Sequence, residues 1–180
     1  MILRRLAPSD ARALFRTVGD PDVMRYWVPG PDSDVDQTLR RISAIDDHWR
    51  VHGFGDWAVI DGGGEVIGFA GLHHITDMAE VNVGYALEHA MWGRGIGGEV
   101  CRLVLDLGFR RFGLPEIVAV IDPRNAASLR LAASCGLTVR ERLLWNGHDR
   151  IVYAITRDEW AAHGRGAAHG LTMGKLGSAP

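Results

Sequence analysis

The sequence predicts an α+β domain on a sheet of mixed direction. Extended runs cluster in the middle and at the end of the chain, with helical runs before and between them. The run Ile117 to Ile121 is β-branched without alternation, as expected of a strand covered on both faces. At 180 residues one domain is expected, burying roughly 70% of its unfolded surface. A hydrophobic share of 47% and a charged share of 23% are ordinary for a globular chain. The net charge of −2 gives no electrostatic case for nucleic acid or anionic membrane as a partner.

Met1 to Leu6 reads as a short strand. Pro8-Ser9-Asp10 offers a helix start with Ser9 as N-cap, and Gly19 stops it. Asp20-Pro21 opens a second short helical turn, and Trp27 to Pro31 is a loop broken by two prolines and a glycine. Ser33 with Asp36 resembles a capping box. The helix behind it carries Val35, Leu39, Ile42, Ile45 and Trp49 on one face and ends at Gly53. Asp56 to Asp61, the turn Gly62-Gly63-Gly64, and Glu65 to Ile75 form a hairpin, followed by a strand from Glu80 to Leu87.

A helix from Glu99 to Phe112 shows a solvated stripe of Glu99, Arg102, Asp106 and Arg110. After the strand at Ile117, Asn125 caps a helix that runs to Cys135 and stops at Gly136. Arg140 to Trp145 and His148 to Ile155 pair about Asn146-Gly147. The domain is expected to span 1–160. A Gly/Ala-rich tail at 161–180 lacks a core of its own and wanders or packs on a neighbour. Cys101 and Cys135, each among apolar residues, read as reduced core thiols. No secretory signal and no membrane span are evident, so a cytoplasmic location is expected. Of the 20 basic residues only Lys175 is lysine, which reflects genome composition.

Between the strand ending at Leu87 and the helix beginning near Glu99 lies Met91-Trp92-Gly93-Arg94-Gly95-Ile96-Gly97-Gly98. Glycines at that density allow a tight turn. The unpaired N–H groups at the following helix start favour an anion, here phosphates. Gly93, Gly95 and Gly98 also satisfy G-x-G-x-x-G, with Asp122 about where a ribose-binding acid belongs. Against a dinucleotide site, Glu88 to Trp92 separate strand from glycine, and an antiparallel meander replaces the opening βαβ unit. No Gly-Lys-Ser/Thr is present, which excludes a Walker loop.

Val83-Gly84-Tyr85, Trp92 through Gly97, Asn125-Ala126-Ala127-Ser128 and Gly136-Leu137 resemble the GNAT family of N-acetyltransferases. Within it they are most similar to the group that acetylates N-terminal residues of ribosomal proteins. The resemblance covers Leu3 to about Trp160, and Trp92 departs from the broad family's Gln/Arg at that position. It implies a mostly antiparallel sheet of six to seven strands flanked by helices, splayed between the fourth and fifth strands. It also implies acetyl-CoA as the phosphate-bearing co-substrate; beside the amine acceptor, a homodimer is counted among the candidate partners. The pyrophosphate would lie on the N–H groups of Arg94, Gly95, Gly97 and Gly98, and the pantetheine arm beside Val81 and Val83.

In the same way Val83 N–H would donate to the thioester carbonyl. The family's strand Glu is Asn82 here, so Glu80, on the same face, takes its place as candidate base. The family's helix Tyr is Ala132 here, so Ser128 becomes the candidate acid. Its plain reading is an N3 residue bonded to its own cap. Asn125 can cap the helix and touch CoA at once. No metal is implied. His48 and His52 stand at i, i+4 without a third ligand, and His73 and His74 point to opposite strand faces, leaving one as a candidate for the acceptor groove. Asp149, Arg150 and Tyr153 read as structural or rim residues. The loops 27–31 and 145–148, Trp-rich and largely uncharged, are the expected acceptor walls.

The expected activity is direct attack of a primary amine, a protein N-terminus or small molecule, on the thioester. Two other readings stand beside it: a non-catalytic CoA- or nucleotide-binding module, and a dinucleotide oxidoreductase.

Overall fold

The computed structural model describes residues 1–75 and 79–163. Seven strands form one sheet: β1 (Ile2–Arg5), β2 (Asp56–Ile60), β3 (Val66–His74), β4 (Val81–Leu87), β5 (Glu116–Ile121), β6 (Thr138–Trp145) and β7 (His148–Thr156). Their order is β1-β2-β3-β4-β5-β7-β6, antiparallel throughout except for β4 and β5. The mixed sheet expected from the sequence is therefore present, with its one parallel contact at the strand that precedes the glycine loop.

The helices are α1 (Ala11–Val18), α2 (Val35–His52), α3 (Ile96–Asp106), α4 (Ala126–Ser134) and α5 (Arg157–His163). No described helix is long and apolar enough to cross a membrane. On one face of the sheet Leu14, Val18 and Ile42 from α1 and α2 bury Ala58, Phe69 and Ala86. On the other, Val100 and Val104 of α3 cover Trp57, Leu72, Val83 and Ile117. Trp57 and Leu72 are fully buried, each worth roughly 1.5–3 kcal/mol relative to exposure. Cys101 and Cys135 are free and buried, as expected of core thiols.

Several boundaries differ from the sequence reading. Ser9 caps nothing: Pro8 opens a 3-10 turn, and the Asp10 carboxylate reaches back to the Ala7 N–H at 2.8 Å while Arg4 grips it. The second short helix at Pro21 is a series of turns. Asp34, not Ser33, caps α2, accepting from Gln37 N–H at 2.7 Å. Thr38 and Ile42 point inward from α2 while Leu39 is exposed, because Asp32 is tucked underneath, bonded to Thr38 Oγ1 at 2.9 Å and paired with Arg41. The long helix after the glycine loop widens into a π-turn over Leu107–Arg111. α5 runs across the expected boundary at 160. The rest of the expected tail, 164–180, lies outside the described residues.

Candidate active site

The β4–β5 ladder is two rungs long: Val81 opposite Ile117 and Asn82 opposite Val118. Both strands continue beyond it, so the sheet opens into a cleft. Asn82 finishes the ladder with its side chain, its Oδ1 accepting the Val120 N–H at 2.9 Å. The Glu88 N–H bonds to the Ile67 carbonyl, so even-numbered residues of β4 bond towards β3. By alternation the peptide groups of Val81, Val83 and Tyr85 point towards β5. Val81 is inside the ladder, which commits its main chain to β5. The Asn82–Val118 rung is closed by the Val83 N–H, so that group, contrary to the sequence reading, is not free, and the edge open to a ligand begins at the Val83 carbonyl and the Tyr85 N–H.

The glycine loop forms the cleft's second wall. Gly93 and Gly95 have φ of +71° and +79°, and Gly95 is the N-cap of α3. A left-handed cap costs an ordinary L-residue about 1–2 kcal/mol, and glycine nothing comparable. A Cβ on either residue would meet nothing within 4 Å, so both face open space. The N–H groups of Gly98 and Glu99 close the first turn on the Gly95 carbonyl at 3.1 and 3.3 Å. Those of Arg94, Gly95, Ile96 and Gly97 make no hydrogen bond among the described residues. The expected set therefore changes by one: Gly98 is turned inward and Ile96 is available.

This loop, the start of α4 and Arg124 line a groove of about 700 Å³. The Arg124 guanidinium is exposed in it, held by a two-pronged contact with Asp122 at 2.8 and 2.9 Å. An arginine fixed beside a helix N-terminus is suited to phosphate oxygens. Only the turn Asp122-Pro123-Arg124 hinted at it in the sequence. Asp122 is not available to a ribose. Hydrogen bonds from Arg124, with the nearby charges of Arg124 and Arg150, outweigh burial and hold its carboxyl at about 2.

A second cavity of about 300 Å³ passes through the splay and shares Tyr85, Asn125, Ser128 and Leu131 with the groove. At the junction the Tyr85 hydroxyl donates to Ser128 Oγ at 3.3 Å, while Asn125 Oδ1 accepts from Ser128 N–H at 3.1 Å. Asn125 is thus a helix cap whose amide N–H groups remain for a ligand. Burial pushes the Tyr85 phenol far above its usual value and keeps it protonated. Ala132 does deny α4 a tyrosine, but Tyr85 supplies a phenol from β4. The Gly84-Tyr85 pair was the signal for it.

Trp27, Val28, Trp145, His73 and Arg150 also line this cavity, and Trp27 reaches the groove as well. Arg150 is a buried residue of this cavity, 5% exposed and 3.1 Å from Asp122, not a rim residue. Tyr153 packs against the core cluster on the sheet. Glu80 lines neither cavity. Its carboxylate lies 2.7 Å from Arg140, which also holds Glu116 at 2.5 Å. His48 has both ring nitrogens engaged, Nδ1 with the Phe54 carbonyl at 2.8 Å and Nε2 with the His74 N–H at 3.1 Å.

The model of the acetyltransferase (GNAT) domain matches residues 1–138. The chain is 30% identical to the uncharacterized N-acetyltransferase p20 of Bacillus licheniformis over 74% of its own length and 76% of that protein's. Among solved structures it superposes on ribosomal-protein-S5-alanine acetyltransferase from Vibrio fischeri with a TM-score of 0.72, at 22% identity, covering 88% and 93% of the two chains. It superposes likewise on spermidine N-acetyltransferase from Vibrio cholerae, solved with CoA and spermine, at a TM-score of 0.74 and 20% identity over 88% and 96%. The splayed sheet and the glycine-opened helix agree with the match to the domain. This chain belongs to the GNAT acetyltransferase family and is an acetyl-CoA-dependent N-acetyltransferase.

Proposed function

We propose that the enzyme acetylates a primary amine carried by a monoamine or a peptide N-terminus, by direct attack on the thioester in a ternary complex. The observation that carries this reading is the meeting of two cavities at Tyr85 and Ser128. One is walled by unpaired N–H groups and Arg124, the other by aromatic side chains. Acetyl-CoA enters from the groove, with its pyrophosphate on the N–H groups of Arg94 to Gly97 and its pantetheine arm along Val83 and Tyr85. The Tyr85 N–H, the first on the open edge, polarises the thioester carbonyl, and Asn125 offers its amide. As the C–S bond breaks, Ser128 gives its proton to the thiolate and draws another from Tyr85. Amide formation then returns a proton to the pair.

The charges around the cavities bear on the acceptor. Among the described residues, Asp22 and Asp122 are the carboxylates lining them, and each is paired with arginine. A polyamine brings several positive charges that need free carboxylates; a single amine does not. The test is thiol release from acetyl-CoA against a panel of dipeptides, aromatic and aliphatic monoamines, and spermidine. Turnover with monoamines or dipeptides well above spermidine supports the reading. Preference for spermidine would overturn the acceptor class. Acetyl-CoA binding without turnover on any amine of the panel would likewise overturn the acceptor class.

A further inference from the structure

Asp56 on β2, buried, and His73 on β3, partly buried, form an acid–imidazole pair on the acceptor side of the splay. Asp56 Oδ1 and His73 Nδ1 face each other at 3.4 Å, and both atoms are otherwise without a partner among the described residues. The fold makes room for them by omission. Gly71 and Gly84 are opposite each other across β3 and β4. A Cβ at Gly71 would stand 2.3 Å from Asp56 Oδ1, and one at Gly84 would stand 2.9 Å from His73 Cε1 and 3.2 Å from the Trp27 ring. Burying such a pair adds little to stability, and in a cleft it marks a functional group.

The hydrogen bonds fix the state of the ring. Asn82 Oδ1 is committed to the Val120 N–H, so its Nδ2 must be the donor to His73 Nε2 at 3.1 Å. Nε2 therefore carries a lone pair and Nδ1 carries the hydrogen towards Asp56. That is an imidazole ready to accept a proton at Nε2, on a residue that lines the cavity with Asn82. Other groups on the acceptor side are less suited: Glu80 is held by Arg140, and Asp122 by two arginines.

We infer that His73, oriented by Asp56, is the general base that takes a proton from the acceptor ammonium. This rests on the acetyl-transfer reading given above. The incoming ammonium replaces the Asn82 amide as donor to Nε2. One N–H bond breaks, its proton passes to Nε2, and the freed electron pair forms the C–N bond as the C–S bond breaks. The second proton lost by nitrogen balances the one gained by sulfur, and the His73 proton leaves to solvent. Burial alone would lower the proton affinity of His73, but the nearby charge of Asp56 outweighs that and raises it. The other groups that feel its charge are His48 from α2 and the adjacent His74, with the Asp122–Arg150 pair on the far wall.

The experiment is the pH dependence of kcat/KM for a monoamine in the wild type, His73→Gln, Asp56→Asn and His74→Gln, with acetyl-CoA affinity measured alongside. The wild type should rise with pH and level off once His73 is deprotonated. His73→Gln should lose about 10²-fold or more at neutral pH. It should keep rising, without that plateau, towards the amine's own pKa of about 8–10, while holding acetyl-CoA within a few-fold. Asp56→Asn should keep the plateau but begin it at lower pH. A His73→Gln profile that levels off where the wild type does, or a plateau that moves only with His74→Gln, overturns the assignment. Should His73→Gln not fold, ring ¹⁵N shifts of the wild type decide: hydrogen on Nδ1 supports it, and hydrogen on Nε2 overturns it. A wild type that binds no acetyl-CoA would sink the acetyl-transfer reading itself.

Discussion

Tyr85 on β4 and Ser128 on α4 are joined by a 3.3 Å hydrogen bond, phenol to hydroxyl, where the groove meets the inner cavity. The contact places a protonated phenol behind the hydroxyl assigned to the leaving sulfur. Ser128→Ala should lower kcat by about 10²-fold, the lower end of what general acids contribute. KM for acetyl-CoA should hardly change. Tyr85→Phe should cost less, about tenfold, because it acts through Ser128. Steady-state kinetics with varied acetyl-CoA read both. A loss confined to KM would assign Ser128 to binding.

The left-handed Gly95 gives a second prediction. Gly95→Val should abolish measurable acetyl-CoA binding by calorimetry and lower stability by about 1–2 kcal/mol through backbone strain. Gly95→Asn separates the two effects, since asparagine tolerates this conformation. Its melting temperature should stay near wild type while its affinity still falls. Unchanged affinity in both variants would show that the loop does not hold the phosphates.

Asp122 ties stability to acid pH. Its carboxyl sits at about 2 in the folded protein, against about 3.9 in an unfolded chain. A depressed carboxyl contributes stability that is fully present above the unfolded value and is lost as pH falls through the folded one. Urea unfolding should therefore show a loss of about 2 kcal/mol between about pH 4 and pH 2. Asp122→Asn should lose at least that much at neutral pH, because it leaves the buried Arg150 unpaired, and should flatten the acid dependence.

Gly84→Ala tests the acceptor wall. The added carbon would press on His73 Cε1 and the Trp27 ring, at 2.9 and 3.2 Å. KM for the amine should rise severalfold while acetyl-CoA affinity holds. An equal loss of both would mean that the substitution distorts β4 rather than narrowing the cavity.

The half of the candidate site proposed for the donor was legible in the sequence because its signals are local. The strand, the glycine loop and the Asn125 cap lie in continuous stretches, and the φ values of Gly93 and Gly95 are what glycines are suited to. The sheet was legible for the same reason, down to the turn at Asn146-Gly147, where both residues have positive φ. The acceptor half was not. His73 meets Asp56 across β2–β3 and Asn82 across β3–β4, and Arg150 meets Asp122 across β7–β5. Those contacts depend on register, which no local pattern encodes. Glu80 shows the same limit from the other side. Strand parity set it on the same face as Asn82, but parity says nothing of Arg140, 60 residues away, which holds its carboxylate.

The claim most central to the account is that amine and acetyl-CoA meet in one complex at the splay and react directly. Initial velocities measured over a grid of acetyl-CoA and a monoamine acceptor, with intact mass of the enzyme incubated with acetyl-CoA alone, test it directly. The account predicts intersecting double-reciprocal lines and no acetyl adduct on the protein. Parallel lines with an acetylated enzyme would contradict it.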